Sequence, residues 1–139
     1  MNPSERFIFF QVSNASAKCK KITDTAKNHF EKKESLIFFV ENEKAALFVD
    51  ELLWKFPETS FLPHLITDEP TTEPLVITTS KINVNQASFA FNLCPTPLLI
   101  EGFQIIYDFE DLSTQSKQNL SGIRLNAYKQ GGLILTSLL

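Results

Sequence analysis

Glycine is scarce in this chain, and its scarcity argues against a phosphate-binding loop. The 139 residues include only four glycines, Gly102, Gly122, Gly131 and Gly132, all in the last third of the sequence. Loops that cradle phosphates need glycine because their backbone approaches the phosphates closely and takes positive φ angles. Neither G-x-x-x-x-G-K-[ST] nor G-x-G-x-x-G occurs. The sequence therefore predicts no standard nucleotide-binding site.

Histidine and cysteine are also scarce, which limits the catalytic and metal chemistry available. His29, His64, Cys19 and Cys94 are the whole supply, and none lies at metal-ligand spacing from another. No nucleophile motif such as G-x-S-x-G is present. We therefore predict no catalytic residue, metal site or cofactor. His29 is predicted to be a solvated helix residue and His64 a turn residue that fixes a loop. The cysteines are predicted to be buried free thiols, with one long-range disulfide as the alternative.

The chain also lacks a strong excess of charge and any long apolar segment. Its formal net charge is −3 and its pI is about 5.4. Proteins that grip nucleic acid by its phosphates usually carry a basic surface, so direct tight binding to DNA or RNA is not expected. No apolar run approaches the roughly 20 residues that cross a bilayer, and the first residues lack the layout of a signal peptide. We predict a cytoplasmic protein with no membrane contact.

What the sequence does contain is a regular alternation of strand and helix patterns. Apolar runs at 6–12 and 36–40 flank a helical pattern, and a second helix follows from Asn42. This β-α-β-α opening favours a parallel sheet with covering helices. We predict one α/β domain over residues 1–139: a three-layer α/β/α fold with a mostly parallel, mixed sheet, Rossmann-like but without a nucleotide site. Further strands are predicted at 75–79, 89–93, 103–109 and, at an edge, 133–138.

A third helix is predicted over residues 111–128. Its apolar residues Leu120, Ile123 and Ala127 are expected to face inward. Lys117, Arg124 and Tyr128 are spaced seven and four residues apart and are expected to share one outward face. A solvated helix face is the plain interpretation of such a stripe.

The segment from Leu52 to His64 is the most unusual part of the chain. It places Trp54 and Phe61 in and around a loop stiffened by Pro57 and Pro63. Proline lowers the entropy of the unbound loop, so bulky side chains can be held in position before a partner binds. Tryptophan is strongly enriched among interface hot spots. The alternative, equally open from the sequence, is that these rings cap the core beneath the loop.

This segment resembles the chi subunit family of bacterial DNA polymerase III. That family carries a helix ending in Asp-x-x-Leu-Trp and then a Pro-x-x-Ser-Phe-x-Pro-His loop. The matching residues are D-E-L-L-W at 50–54 and P-E-T-S-F-L-P-H at 57–64. Weaker similarities are E-N-E-K at 41–44 and A-Y-K-Q-G-G at 127–132. The resemblance covers roughly residues 6 to 136, and its specific part is the block from Trp54 to His64.

The resemblance implies a non-catalytic accessory subunit of the polymerase's clamp-loader complex. Chi-like proteins bind the acidic, Phe-ending C-terminal tail of the single-stranded-DNA-binding protein. In some bacteria they also bind psi, a small clamp-loader subunit, or a helicase through an apolar surface. By that analogy Trp54 and Phe61 would contact psi or its substitute.

The tail partner demands a pocket for an aromatic ring and a cation for the chain-end carboxylate. The family's pocket uses Lys, Arg and Tyr on the last helix. Lys117 can be matched, whereas the next two positions fall near Gly122 and Leu125, which lack the needed groups. We therefore take Arg124 as the substitute cation, with Tyr128 beside it. Replacing Arg124 with alanine is expected to weaken binding of an acidic Phe-terminated peptide at least several-fold.

Two other functional classes remain open from the residues alone. One is a nucleotide-dependent α/β enzyme that has diverged from the usual motifs. The other is a direct nucleic-acid binder, which the acidic net charge disfavours.

Overall fold

The computed structural model describes residues 5–55 and 62–138. Within these residues, seven strands form one sheet in the order β3-β4-β2-β5-β6-β1-β7, and every strand pair is parallel. The predicted α/β/α fold is confirmed, except that the sheet is parallel throughout rather than mixed. The elements in chain order are β1 (Arg6–Val12), α1 (Ala15–Glu31), β2 (Leu36–Phe39), α2 (Glu43–Lys55), β3 (Leu65–Ile66), β4 (Leu75–Thr78), β5 (Phe89–Asn92), β6 (Ile105–Asp111), α3 (Gln115–Gln130) and β7 (Ile134–Leu138).

Both faces of the sheet are buried, which explains the continuous apolar runs of the strands. Successive side chains of a strand point to opposite faces. In β1, Phe7 and Phe9 belong to one core cluster and Phe10 and Val12 to the other. The first cluster includes Tyr128 of α3, and the second includes residues of α1 and α2. We call these sides of the sheet the α3 face and the α1/α2 face.

The direction of each connection decides which face its helix covers. The connections from β1 to β2 and from β2 to β3 run towards the β3 edge and carry α1 and α2. From β4 onwards the chain runs back towards the β7 edge, and its last connection carries α3. Parallel crossovers are almost always right-handed, so the two directions place their helices on opposite faces.

All three helices begin at the carboxyl edge of the sheet with a side-chain cap. Asn14 Oδ1 accepts a hydrogen bond from Ala17 N at 2.8 Å, and Asn42 Oδ1 accepts one from Ala45 N at 2.9 Å. Thr114 Oγ1 accepts one from Lys117 N at 3.1 Å. Caps of this kind satisfy amide groups that the first turn leaves without partners. The third helix therefore begins at Gln115, later than predicted, because β6 continues to Asp111.

Of the two edge strands, β7 was predicted from the sequence and β3 was not. β7 is the predicted edge strand and pairs in parallel with β1. β3 was not predicted, because it has only two residues, Leu65 and Ile66, and both are exposed. Neither its length nor its pattern distinguishes it from a loop.

The prediction that His29 is solvated is wrong, since only 2% of the residue is exposed. Its Nε2 lies 2.6 Å from the Tyr107 hydroxyl, its Nδ1 lies 3.0 Å from Glu34 Oε1, and its ring packs against Phe89 at 4.4 Å. His29 follows Ala26 by three residues and so lies on the apolar face of α1. Burial lowers the pKa of His29 and raises the pKa of Tyr107 to about 12.

These shifts predict that acid weakens the fold through His29. Its pKa in the folded state lies below the ordinary 6.5, so the unfolded chain binds the proton more readily. The free energy of unfolding should therefore fall as pH drops through 6.5 towards the lowered pKa. Urea unfolding at pH 7.5 and 5.5 should show a smaller loss for His29→Gln than for the unmodified protein. Equal losses in the two proteins would contradict this role of His29.

Candidate functional site

A crevice opens at the carboxyl edge of the sheet where two neighbouring strands send their helices to opposite faces. Val12 and Asp111 are paired at the ends of β1 and β6. α1 leaves β1 on one side and α3 leaves β6 on the other. Ligands of open α/β sheets bind at such switch points. The cleft here has a volume of about 180 Å³, and we call it the α1/α3 cleft.

The α1/α3 cleft combines apolar walls with charged groups. Lys18 lies in the first turn of α1 and Lys117 in the first turn of α3. Arg124 also lines the cleft and lies two turns further along α3 than Lys117. The apolar lining residues are Leu93, Cys94, Pro95, Phe109 and Leu120, and the remaining polar ones are Glu41, Asn92, Asp108 and Asp111.

The floor of the cleft is a buried carboxylate. Asp108 is 1% exposed and its side chain meets residues of α3. Arg124 Nε donates to its two oxygens at 3.1 and 3.2 Å, and the Tyr128 hydroxyl donates at 2.6 Å. Asn92 Nδ2 adds a further hydrogen bond at 3.1 Å. Burial raises the pKa of Asp108, and the Arg124 guanidinium and the Tyr128 hydroxyl oppose that rise.

The other donors of Arg124 tie three segments together. Nη1 donates to Pro95 O at 3.1 Å, in the loop after β5. Nη2 donates to Phe109 O at 2.9 Å in β6 and to Ser121 Oγ at 3.2 Å in α3. The Tyr128 hydroxyl also accepts from Leu98 N at 3.2 Å, and burial raises the pKa of Tyr128. The guanidinium and the phenol therefore act as internal cross-links.

The prediction that Lys117, Arg124 and Tyr128 share an outward face is therefore wrong for two of the three. Arg124 is 6% exposed and Tyr128 is fully buried, whereas Lys117 is exposed where the cleft opens to solvent. Two of the three residues predicted to face inward are exposed, Leu120 at 37% and Ile123 at 59%, while Ala127 is partly buried. The periodicity rule assumes that apolar residues face the sheet. Here the helix instead presents polar groups to a buried carboxylate.

Two positions of the family's pocket register lie away from the cleft. Gly122 has open space where a side chain would begin. Leu125 is partly buried and packs against the core of the α3 face. Neither is among the cleft-lining residues, all of which belong to the described part of the chain. The absence of polar groups at these two positions therefore does not affect the α1/α3 cleft.

Lys18 is a cleft residue that no sequence pattern singled out. Its Nζ lies 3.3 Å from Asp111 Oδ2 and 5.4 Å from the centre of the Phe109 ring, and its side chain is 36% exposed. Lys18 is 93 residues from Asp111 in sequence. Only the pairing of β1 with β6 brings them together, so strand order was the missing signal.

A second candidate site is an apolar surface at the β3 edge. Its members belong to α2 and β3, and each is between 38% and 55% exposed. We call it the α2/β3 surface. It consists of Leu47, Phe48, Trp54 and Ile66, whereas Leu65 is paired with Val76 and so points to the α3 face. Trp54 is 48% exposed, so it does not cap the core. Phe61, the other predicted partner-binding residue, lies outside the described residues.

The motif that carries the family resemblance holds Trp54 in position. Its indole packs against the His64 ring, with ring centres 4.3 Å apart. His64 Nδ1 lies 2.7 Å from Leu62 O and its Nε2 lies 2.8 Å from Asp50 Oδ1. The predicted hydrogen bonding of His64 is confirmed, whereas residues 56–61 of the loop lie outside the described residues. Asp50 and Trp54 are one helical turn apart, so both can reach the same histidine.

The fold and the two candidate sites define a three-layer α/β protein with an exposed apolar surface and a cleft but no glycine at the first strand–helix turn. Residues 5–136 match the family model described as DNA polymerase III chi subunit, HolC. The chain therefore belongs to the DNA polymerase III chi subunit family, as its motif predicted, and this membership supports a replication accessory role. No curated protein matches the chain.

In residues 5–55 and 62–138, no group of three or more His, Cys, Asp or Glu side chains could hold a metal ion. Cys19 and Cys94 are free, with Cys94 buried and Cys19 partly buried. No helix in the same ranges is long and apolar enough to cross a membrane.

Because Arg124 cross-links the fold, removing its charge should greatly lower the free energy of unfolding, since Asp108 is then left without its cation. Arg124→Met leaves the Asp108 carboxylate buried without its cation, which typically costs about 3–5 kcal/mol. Asp108→Asn in the same chain should recover part of that loss, giving a coupling energy of about 0.5–3 kcal/mol in a urea-unfolding cycle. The matched control is the exposed pair Lys20–Asp24, whose coupling should stay below about 1 kcal/mol. Strictly additive effects at Arg124 and Asp108 would contradict the cross-link.

Proposed function

We propose that this protein links the clamp-loader complex of DNA polymerase III to the single-stranded-DNA-binding protein by holding that protein's acidic, Phe-ending tail in the α1/α3 cleft. One observation carries the proposal. Lys18 and Lys117, from the first turns of two helices, flank an apolar cleft at the switch point of the sheet. An aromatic ring beside a carboxylate is the ligand that such an arrangement suits.

The apolar walls suit the terminal ring of the tail. Leu93, Pro95 and Leu120 line the cleft, and Leu120 is 37% exposed although it is a large apolar residue. The cleft volume of about 180 Å³ compares with roughly 150 Å³ for an engineered apolar cavity that binds benzene. A phenyl ring inserted here would cover apolar surface that water now meets.

The charges favour Lys117 as the partner of the chain-end carboxylate. Arg124 is paired with Asp108 and Lys18 with Asp111, whereas Lys117 forms no ion pair with any described residue. The first turn of α3 contains no acidic side chain, so the positive end of its helix dipole adds to the attraction. Lys18, shared with Asp111, would supply a second, weaker contact.

The acidic residues before the terminal Phe are expected to leave the cleft along α1. Glu41 lines the cleft and would repel carboxylates on that side. Lys21 follows Lys18 by three residues on the same side of α1, and its Nζ lies 4.7 Å from the centre of the Phe10 ring. Its stem covers an aromatic ring while its charge remains at the surface.

The clamp-loader side of the link is assigned to the α2/β3 surface. Its exposed apolar residues and its ring-stacked Trp54 suit psi or, in its place, a helicase. β3 is the first strand of the sheet and β6 the fifth. At about 4.8 Å per strand the two sites are roughly 19 Å apart, so both partners can be bound together.

Lys117→Ala tests the tail site. It should weaken binding of a fluorescent Asp-rich peptide ending in Phe by about tenfold, because a charge-assisted contact of about 1.4 kcal/mol is lost. Fluorescence anisotropy at fixed salt measures the affinity. Lys129→Ala is the matched control, since Lys129 is exposed on the same helix but roughly 18 Å away.

A second control uses the peptide rather than the protein. Amidation of the terminal carboxylate should weaken binding to the unmodified protein but should change little for Lys117→Ala. Unchanged affinity in Lys117→Ala, or equal loss in Lys129→Ala, would remove Lys117 from the tail site.

Trp54 provides its own test because it is the only tryptophan in the chain. A clamp-loader subunit that covers its half-exposed indole should shift its fluorescence to shorter wavelength, whereas the tail peptide should not. Trp54→Ala should weaken that subunit's binding by roughly 30-fold, as expected of a hot spot worth about 2 kcal/mol. Ile82→Ala, which is 64% exposed in the loop after β4, is the control. An Ile82→Ala effect as large as that of Trp54→Ala would contradict the assignment.

A further inference from the structure

We propose that a third site, at the amino edge of the sheet, binds a peptide segment that places a lysine or arginine beside an apolar side chain. A groove of about 270 Å³ lies there on the α3 face. We call it the amino-edge groove. Its lining is mostly apolar and includes Leu98, Leu99, Ile100, Phe103, Ile106 and Leu133. The groove also contains Glu5, Glu101 and Gly131, and these determine the charge of its ligand.

Glu5 is the main reason to expect a cation. The residue is 4% exposed, and its Oε1 accepts a hydrogen bond from Gly102 N at 2.6 Å. It forms no ion pair with any residue in the described part of the chain. A buried carboxylate without a counter-ion is costly, and an incoming cation would relieve that cost.

Two neighbouring features of the groove are negatively charged, as Glu5 is. Glu101 places a second carboxylate on the groove, and this residue is exposed. The C-terminal end of α3 reaches the groove at Gly131, so the negative end of its helix dipole lies close by. The groove thus offers an apolar floor and negative charge, with no lysine or arginine among its lining residues.

The apolar part of the ligand is suggested by Leu99. This side chain lines the groove yet is 68% exposed, the largest exposure among the big apolar residues of the described chain. A cation alone would leave it in water. A peptide with an apolar residue next to its lysine or arginine would satisfy Glu5 and cover Leu99 together.

This site is independent of the tail site. The strands are parallel, so the amino-edge groove and the α1/α3 cleft lie at opposite ends of β1 and β6. The two linings come near each other in β6, where Ile106 and Asp108 are two residues or about 7 Å apart, while their openings lie at opposite edges of the sheet. The two sites also select opposite charges, so failure of one leaves the other in place.

The test uses the acetylated and amidated tetrapeptide Leu-Leu-Lys-Leu and its counterpart with Glu in place of Lys. Titration followed by methyl NMR should shift Leu98, Leu99, Ile100 and Leu133 with the lysine peptide and not with the glutamate peptide. Glu5→Gln keeps an acceptor for Gly102 N and should weaken the lysine peptide roughly tenfold or more. Glu31→Gln, an exposed acid on α1, is the matched control and should bind as the unmodified protein does.

Leu99→Ser provides a second variant whose exposed position protects the fold, and it should also lower the affinity. Equal binding of the two peptides, methyl shifts confined to other surfaces, or unchanged affinity in both Glu5→Gln and Leu99→Ser would each overturn the proposal.

Discussion

The ion pair between Asp108 and Arg124 is the interaction on which the candidate tail site depends. The Asp108 carboxylate on a central strand is buried. It accepts hydrogen bonds from the guanidinium of Arg124, the hydroxyl of Tyr128 and the side-chain amide of Asn92. The same guanidinium reaches Pro95 O and Phe109 O, so it fixes the loop after β5, strand β6 and helix α3 relative to one another. These segments are walls of the α1/α3 cleft, and its shape follows from this network.

The network also decides which charges are left for a partner. Arg124 donates its hydrogen bonds to groups inside the protein. The cations of the cleft that remain accessible to a partner are therefore Lys18 and Lys117, at the starts of α1 and α3. The α2/β3 surface is arranged by the same logic, since Asp50 positions His64 and His64 packs against Trp54. At both sites a partly or fully buried polar contact holds an exposed group in position. Rigid groups of this kind lose less entropy when a partner binds.

Most strands and the starts of α1 and α2 could be predicted because each depends on local chemistry, as with the run at 36–40 and the caps at Asn14 and Asn42. The motif from Asp50 to His64 identified the family for a similar reason, since its residues meet within one turn and loop. The inward face of α3 could not be predicted, because Asp108 attracts polar residues where the rule expects apolar ones. Lys18 required the pairing of β1 with β6, which no local pattern encodes.

We propose that the tail binds beside the buried Asp108–Arg124 pair and not on it. Titrating ¹⁵N-labelled protein with an Asp-rich peptide ending in Phe and following the amide resonances tests this most directly. Shifts are expected around Lys18, Cys94, Lys117 and Leu120, with the Arg124 side-chain Nε–H signal still protected from exchange by its bond to Asp108. Shifts centred on Phe48 and Trp54, or loss of that protection as the peptide binds, would contradict it.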